Sequence, residues 1–352
     1  MDFRPTNRVS WLRNINGINF YGQAMVSSPP LWDEPLESPF KDKFITIEIW
    51  VHPAAGPSDV GIGRILTLYD GQEPDVSFLG QWRSHLDIQS RIQIIRSGLQ
   101  KPVKRSNYEE VSLRGALAGY IDQFVTVTSS PGGTSIYLNG RHDKTYPNHK
   151  LLSGSTGMPF RLILGNSATG HSYWTGDLLG LAIYNRALTP DEVVRSYQSW
   201  MNKGNPSAPA DNGCIALYTF DERKGTIVHN HMGNDNQLTI SEVFTPLQHV
   251  VLSAPWRDLR WDRSSIEDVT MNIVGFIPFG FFCAAFLRKV QRRSKIALYL
   301  YTALIGLAFS LAIELMQVYI PTRYSQSTDV ICNVMGTITG LAIFHKAIFS
   351  LP

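Results

Sequence analysis

The chain has 352 residues and a mass of 39.5 kDa, which suits about two domains of roughly 150 residues each. Its 17 Phe, 14 Tyr and 8 Trp exclude intrinsic disorder, and its net charge of +3 is too small to indicate nucleic-acid binding. Cys214, Cys283 and Cys332 are too few and too scattered for a disulfide framework or a zinc site.

The N-terminal half is predicted to be a β sandwich that follows a leader of residues 1–16. In the run 44–51, Ile and Val residues alternate with other residues, which is the period of two of a half-buried strand. Turn pairs such as Asp70–Gly71 and Asn139–Gly140 separate the strands. Further strands are predicted at 64–69, 124–128, 135–138, 161–165 and 178–184. Many short strands joined by regular turns are typical of sandwiches.

One helix is signalled by its N-terminal residues. Thr189 is a suitable N-cap, Pro190 suits the first helical position, and Glu192 completes a capping box. The apolar residues that follow at helical spacing are Val193, Val194, Tyr197 and Trp200. This helix is expected to pack against the sandwich.

Two motifs in this region resemble laminin-G-like, concanavalin A-like domains. The run from Trp174 to Glu192 resembles the last strand and closing helix of that family, and Tyr137-x-Asn139-Gly140 resembles its recurring hairpin. The resemblance covers about residues 17–202. It implies a jelly-roll sandwich that often binds glycans, sometimes with calcium.

Aromatic rings that stack on sugars and side chains that bond hydroxyl groups are the candidate glycan-binding residues. They are Trp82, Asn166, Trp174 and Asp177, although tryptophan residues are also common in cores. Asp70 and Asp177 are candidates for a calcium ion, and their turn positions explain them equally well. No other cofactor is predicted. Glu48 is expected on a solvent-exposed face, and it has no second carboxylate on its strand to support glycoside hydrolysis.

Residues 203–262 are predicted to be a linker. Its segment 216–222 resembles a strand that could be added to the same sandwich. Near its end, Trp256 and Trp261 alternate with Arg257, Arg260 and Arg263, a pattern that suits a membrane interface or, alternatively, a soluble surface patch.

Three apolar segments follow in residues 263–350 and are predicted to be membrane helices at about 269–287, 296–320 and 330–350. Residues 288–295 carry five positive charges, so the positive-inside rule places this loop in the cytoplasm and the sandwich outside. Residues 1–20 lack an apolar signal segment. The orientation therefore requires an upstream helix missing from this chain or another export route; a cytoplasmic sandwich is the alternative.

Polar residues recur on these helices at spacings of three and four, which place them on shared faces. They are Asp268, Asn272, Ser310, Glu314, Gln317, Arg323, Ser327, Asp329 and Asn333. The pattern predicts one polar cluster near one membrane surface, either a structural network or a ligand or substrate site; the third alternative is that the positions are unrelated. Helix packing is assigned to Pro278, Gly280, Gly336 and Gly340.

The same residues, with Phe276-x-Pro278-x-Gly280 and Ile313-Glu314-x-x-Gln317, resemble the motifs of the VanZ-like family over residues 263–350. Members usually begin with a further hydrophobic helix, which this chain lacks. The resemblance implies an integral, multi-pass protein of the cell membrane and, in some members, lower susceptibility to glycopeptides such as teicoplanin.

The main interpretation is a non-enzymatic bacterial envelope protein, placed in the lipid bilayer, whose external lectin-like domain binds a cell-envelope glycan or glycopeptide. No catalytic residue is assigned. Two alternatives remain open. One is a membrane enzyme that acts on a lipid-linked envelope precursor through Glu314, Asp329 and Arg323, and the other is a non-catalytic scaffold.

Overall fold

The computed structural model describes residues 5–34, 38–54, 61–72, 75–92, 108–118, 121–155, 157–203, 213–233, 236–253, 263–290, 295–318, 320 and 325–349. The chain divides into two compact units, Met1–Gln248 and His249–Pro352.

The first unit is a sandwich of two eight-stranded sheets, and all the strand pairs described are antiparallel. Sheet 1 contains β1 (Val9–Trp11), β2 (Ile18–Phe20), β4 (Ile45–Pro53), β9 (Gln123–Ser130), β10 (Gly133–Leu138), β11 (Arg141–Tyr146), β13 (Gly176–Tyr184) and β14 (Cys214–Tyr218). Sheet 2 contains β3 (Val26–Pro30), β5 (Gly63–Tyr69), β6 (Ser77–Trp82), β7 (His85–Arg91), β8 (Tyr108–Leu113), β12 (Arg161–Leu164), β15 (Ile227–Val228) and β16 (Leu238–Thr239). The predicted fold class, a jelly-roll-like β sandwich followed by apolar helices, is confirmed.

The core between the sheets follows from the alternation of apolar side chains. Ile45, Ile47 and Ile49 of β4 are fully buried, as are Leu66 and Leu68 of β5. Burying each such side chain stabilises the fold by about 1.5–3 kcal/mol relative to its exposure, so this alternation supplies much of the driving force for sandwich formation.

Helix α1 (Pro190–Lys203) begins with the predicted capping box. The Thr189 backbone N–H donates to Glu192 Oε2 at 2.8 Å, and the Glu192 N–H donates back to Thr189 Oγ1 at 3.4 Å. The helix packs on the outer face of sheet 1, where the Trp200 ring lies directly over Gly180. A Cβ at residue 180 would overlap this ring, so only glycine permits the close approach.

Residues beyond α1 complete the sandwich. β14 pairs with β13 in sheet 1, while β15 and β16 extend sheet 2 next to β3. Phe244 and Leu247 then pack on the outer face of sheet 2 against Met25, Tyr69 and Ile163. Part of the predicted linker is therefore built into the sandwich. The residues Trp256, Arg257, Arg260 and Trp261, predicted at a membrane interface or on a soluble surface patch, lie outside the described residues.

The second unit contains three helices: α2 (Arg263–Val290), α3 (Lys295–Gln317) and α4 (Ser327–Phe349). All three are long and apolar enough to cross a membrane. Helices α2 and α4 meet with almost no side chain between them. A Cβ at Gly280 would overlap the carbonyl oxygen of Thr337, and one at Gly340 would overlap that of Ile277.

The other two predicted packing residues are Gly336 and Pro278. Gly336 also lies against α2, at the carbonyl oxygen of Ile273. Pro278 lies inside α2 with its side chain exposed.

Candidate functional site

Two of the four glycan-binding candidates are fully buried. Trp174 lies in the core between the sheets, where its Nε1–H donates to Gln81 Oε1 at 2.7 Å. The Asn166 side chain organises a turn: its Nδ2 donates to the Ala24 carbonyl oxygen at 3.1 Å, and its Oδ1 accepts from the backbone N–H of Ser172 at 3.0 Å. Because neither side chain reaches the surface, the structure removes both from the candidates.

The other two candidates are accessible but lie on different sheets. Trp82 ends β6 and is 38% exposed, with the Arg83 guanidinium carbon 5.0 Å from its ring centroid. Asp177 lies in β13 of sheet 1, where Oδ1 accepts a hydrogen bond from Asn19 Nδ2 at 2.6 Å. Trp82 and Asp177 thus belong to different sheets of the sandwich.

The two calcium candidates are also separate. Asp70 follows β5 in sheet 2 and forms a buried ion pair with Arg91, whose Nη1 lies 3.1 Å from Asp70 Oδ1. The charge that would attract a cation is therefore already compensated. Within the described part of the chain, no three His, Cys, Asp or Glu side chains are grouped to hold a metal ion, so these residues do not fit a calcium site.

A cavity opens on the outer face of sheet 2, and sequence reasoning missed most of its residues. Its volume is about 300 Å³. It is lined by Tyr69, Asp70, Gly71, Pro159, Arg161 and Leu247. Tyr69 and Arg161 are directly opposite in the pairing of β5 with β12, while Leu247 arrives from a distant part of the chain. Strand register places Tyr69 and Arg161 together, and no local motif signals either that register or the approach of Leu247.

Glu48 is not on a solvent-exposed face, and that prediction was wrong. The side chain projects from the outer face of sheet 1, but α1 covers it completely. Glu48 Oε2 accepts from Ser196 Oγ at 2.8 Å, Trp200 Nε1 at 3.2 Å and the Tyr184 hydroxyl at 3.3 Å. Desolvation by burial raises the pKa of Glu48 to about 7, although the three hydrogen bonds favour the ionised form.

The burial of Glu48 excludes this side chain from glycoside hydrolysis. A glycosidase needs two carboxyl groups that reach the scissile bond, at separations of about 5–10 Å. Glu48 is closed off by α1 and cannot contact a substrate. It is a buried acid that holds α1 on sheet 1.

In the helical unit, hydrogen bonds between polar side chains connect the helices. Asn272 Nδ2 of α2 donates to Asp329 Oδ1 of α4 at 2.8 Å, and Asn333 Nδ2 of α4 donates to Ser310 Oγ of α3 at 2.9 Å. Asn333 and Ser310 are buried. These contacts satisfy polar groups that would be costly to leave unpaired in hydrocarbon.

Glu314 is almost completely buried on α3 and reaches the segment that precedes α4. Its Oε2 accepts from the Gln326 backbone N–H at 2.9 Å. The same segment pairs with residue 253: the Ser253 N–H donates to the Ser325 carbonyl oxygen at 2.9 Å, and the Ser327 N–H donates to the Ser253 carbonyl oxygen at 3.1 Å. No sequence motif predicts these backbone contacts of Ser253, Ser325 and Gln326.

The remaining residues of the predicted polar cluster are Asp268, Gln317, Ser327 and Arg323. Asp268 is exposed, and Gln317 is partly buried. Ser327 Oγ donates to the Leu252 carbonyl oxygen at 3.1 Å. Arg323 lies outside the described residues.

Two family models match the chain. One, described as the concanavalin A-like lectin/glucanases superfamily, matches residues 34–194, and the other, described as VanZ/LLP1, matches residues 213–350. The chain carries a concanavalin A-like domain followed by a VanZ-like domain. The VanZ/LLP1 match begins just before β14 and so includes strands that complete the sandwich. The three apolar helices lie in the VanZ-like domain, which makes this chain a membrane protein.

Solved structures similar to the chain share little sequence with it. A Bacteroides ovatus protein described provisionally as carbohydrate binding has a TM-score of 0.43 and 15% identity, over 66% of this chain and 62% of that one. The CBM40 of a Ruminococcus gnavus IT-sialidase, bound to α2,3 sialyllactose, has a TM-score of 0.37 and 16% identity, over 51% and 95%. Trypanosoma rangeli sialidase has a TM-score of 0.41 and 16% identity, over 56% and 29%. No curated protein matches the sequence.

Proposed function

We propose that this protein holds a glycan-binding domain at the cell membrane. The concanavalin A-like domain binds a cell-envelope glycan or glycopeptide on the extracytoplasmic side, and the VanZ-like helices anchor it in the bilayer. A role in glycopeptide susceptibility or envelope maintenance would follow from binding such material.

The cavity on the outer face of sheet 2 is the observation that carries this proposal. It combines the apolar surfaces of Pro159 and Leu247 with the Tyr69 ring and the polar side chain of Arg161. The exposed lining is more polar than apolar, and a few well-placed polar groups are what fix a ligand's orientation in small-molecule sites. Sugars present the same combination, because their ring faces are apolar and their hydroxyl groups are polar.

Intact-cell binding tests both the glycan and the orientation. Spheroplasts that produce the full chain should retain fluorescent envelope glycans, whereas spheroplasts without the protein should not. Leu247→Trp should fill the cavity and weaken retention about tenfold or more, because it removes space for the ligand. Ile121→Trp is a matched control, since Ile121 is 57% exposed and does not line the cavity.

The outcomes separate the two parts of the proposal. Retention only after the membrane is permeabilised would overturn the extracytoplasmic orientation but not glycan binding. No retention in either preparation, together with crosslinking of the chain to other proteins, would favour the scaffold alternative.

A second candidate is an enzyme that acts on a lipid-linked envelope precursor through the helical polar cluster. It is favoured by the burial of Glu314 and by Asn333 Oδ1, a buried atom with no hydrogen-bond partner among the described residues. In this candidate Glu314 or Asp329 is the acid or base, and Arg323 holds an anionic group of the substrate.

Glu314→Gln tests the enzyme candidate. Glutamine keeps an oxygen that can accept from the Gln326 N–H but cannot transfer a proton as a carboxylate does. If Glu314 is the acid or base, a deletion strain that produces this variant at normal membrane levels should keep its envelope phenotype. Full correction of the phenotype would exclude it.

A further inference from the structure

We propose that the cavity on the outer face of sheet 2 binds an anionic sugar residue, with Arg161 as the group that contacts its carboxylate or phosphate. This inference rests on the proposed glycan-binding function and names the ligand class.

The strand register places a cation and an aromatic ring side by side. Arg161 of β12 pairs directly with Tyr69 of β5, so both side chains lie on the same face of sheet 2. This is the outer face, because the neighbouring residues Leu68 and Leu162 point into the core between the sheets. The Arg161 guanidinium and the Tyr69 ring therefore line one cavity.

The charges around the cavity favour an anion. Among the described residues that line the cavity, Asp70 is the only acidic one, and its carboxylate is held by Arg91: Nη1 contacts Oδ1 at 3.1 Å, and Nη2 contacts Oδ2. Both side chains of this pair are buried, and their charges cancel. Arg161 is exposed and forms no ion pair with any part of the chain that the structure describes. Within the described lining of the cavity, the positive charge of Arg161 is thus left uncompensated.

Arginine is well suited to such a ligand. Its planar guanidinium can donate two parallel hydrogen bonds to a carboxylate or a phosphate, and these charge-assisted bonds are stronger than neutral ones. A neutral sugar can accept hydrogen bonds from this group through its hydroxyl oxygens, but it brings no negative charge to pair with the guanidinium.

The size of the cavity limits the ligand to a small unit. A volume of about 300 Å³ is at the lower end of the range for ligand sites, roughly 300–1,000 Å³. It suits one sugar ring rather than several. The apolar walls of Pro159 and Leu247 would contact the ring while Arg161 holds its acidic substituent.

Calorimetry on the full chain in nanodiscs tests this inference. The probes are glucuronic acid, its neutral methyl ester, glucose 6-phosphate and glucose. We expect glucuronic acid to bind at least about tenfold more tightly than its methyl ester, because only the acid presents an ionised carboxylate that can pair with the guanidinium through two parallel hydrogen bonds. The phosphate probe shows whether the natural anion is a carboxylate or a phosphate.

Two arginine variants test whether the preference for the acid arises in this cavity. Arg161→Gln should remove the preference for the acid, whereas Arg141→Gln, the same change on the exposed strand β11 of sheet 1, should preserve it. Equal binding of acid and ester by the native chain would overturn the anionic preference but leave glycan binding standing. A preference that survives Arg161→Gln would overturn the assignment to this cavity. No binding of any of these sugars, together with no retention of glycans by spheroplasts, would overturn both proposals.

Discussion

Replacing Glu48 by glutamine is expected to stabilise the sandwich by about 3 kcal/mol above pH 8, a gain that should disappear below pH 4. The Glu48 carboxyl is fully buried under α1, and desolvation raises its pKa from 4.5 to about 7. Glutamine occupies the same space and carries no charge at any pH. It therefore removes the cost of ionising a group that has no contact with water.

The direction of the effect follows from the raised pKa. Below about pH 4.5 the carboxyl is neutral in both the folded and the unfolded chain, so the native protein keeps its full stability. Between pH 4.5 and about 7 the unfolded chain loses the proton while the folded chain retains it, and stability is lost as the pH rises through the folded pKa. The neighbouring titratable groups Tyr184 and Cys214 stay protonated in this range, because burial raises the pKa of each.

Urea denaturation of the full chain, followed by tryptophan fluorescence from pH 4 to 9, measures the difference between native protein and variant. Glu192→Gln is a matched control that should change the free energy of unfolding in the opposite direction. Hydrogen bonds from Arg186 and the Thr189 backbone lower the pKa of Glu192 to about 2. The ionised Glu192 side chain therefore stabilises the fold at neutral pH, and this stabilisation is lost only in acid. A Glu48→Gln variant that is no more stable than native protein at pH 8.5 would contradict the account of this buried acid.

Replacing Gly340 by alanine is expected to prevent α4 from packing against α2. The added Cβ would overlap the carbonyl oxygen of Ile277, which belongs to the helix backbone and cannot rotate away as a side chain could. The helices would have to separate along their length, at a cost of about 3 kcal/mol or more. The folded, monodisperse fraction after detergent extraction, measured by size-exclusion chromatography, should fall strongly.

Gly275→Ala is the matched control for this effect. Gly275 lies in α2 as well, but a Cβ there would have no neighbour within 4 Å. This variant should fold as the native chain does, since alanine also has the higher helix propensity. Equal recovery of the Gly340→Ala and Gly275→Ala variants would show that α2 and α4 do not depend on this close contact.

The parts of the fold that could be predicted are those that depend on neighbours in the sequence. The alternation from Ile45 to Val51 identified a strand, because successive side chains of a strand point to opposite faces. The Thr189–Glu192 capping box identified the start of α1, because the two residues that exchange hydrogen bonds are only three positions apart in the sequence.

The errors arose where burial depends on distant residues. The period of two correctly placed Glu48 on the face opposite Ile47 and Ile49, but only the tertiary structure shows that α1 covers that face. Trp174 was a candidate for a glycan site, yet it lies in the core between the sheets, where its Nε1–H donates to Gln81, far away in sequence.

The amino-acid sequence by itself determined the order of the two domains, the sandwich class, the first turn of α1 and the existence of three apolar helices. These features depend on periodicity, capping and segment length, which are properties of residues close together in the chain. The tertiary structure alone decided that Arg161, Tyr69 and Leu247 share a cavity and that Gly340 contacts the backbone of α2. Strand register and helix contact join residues that are far apart in sequence, and the free energy of those contacts depends on the whole packed structure rather than on any local pattern.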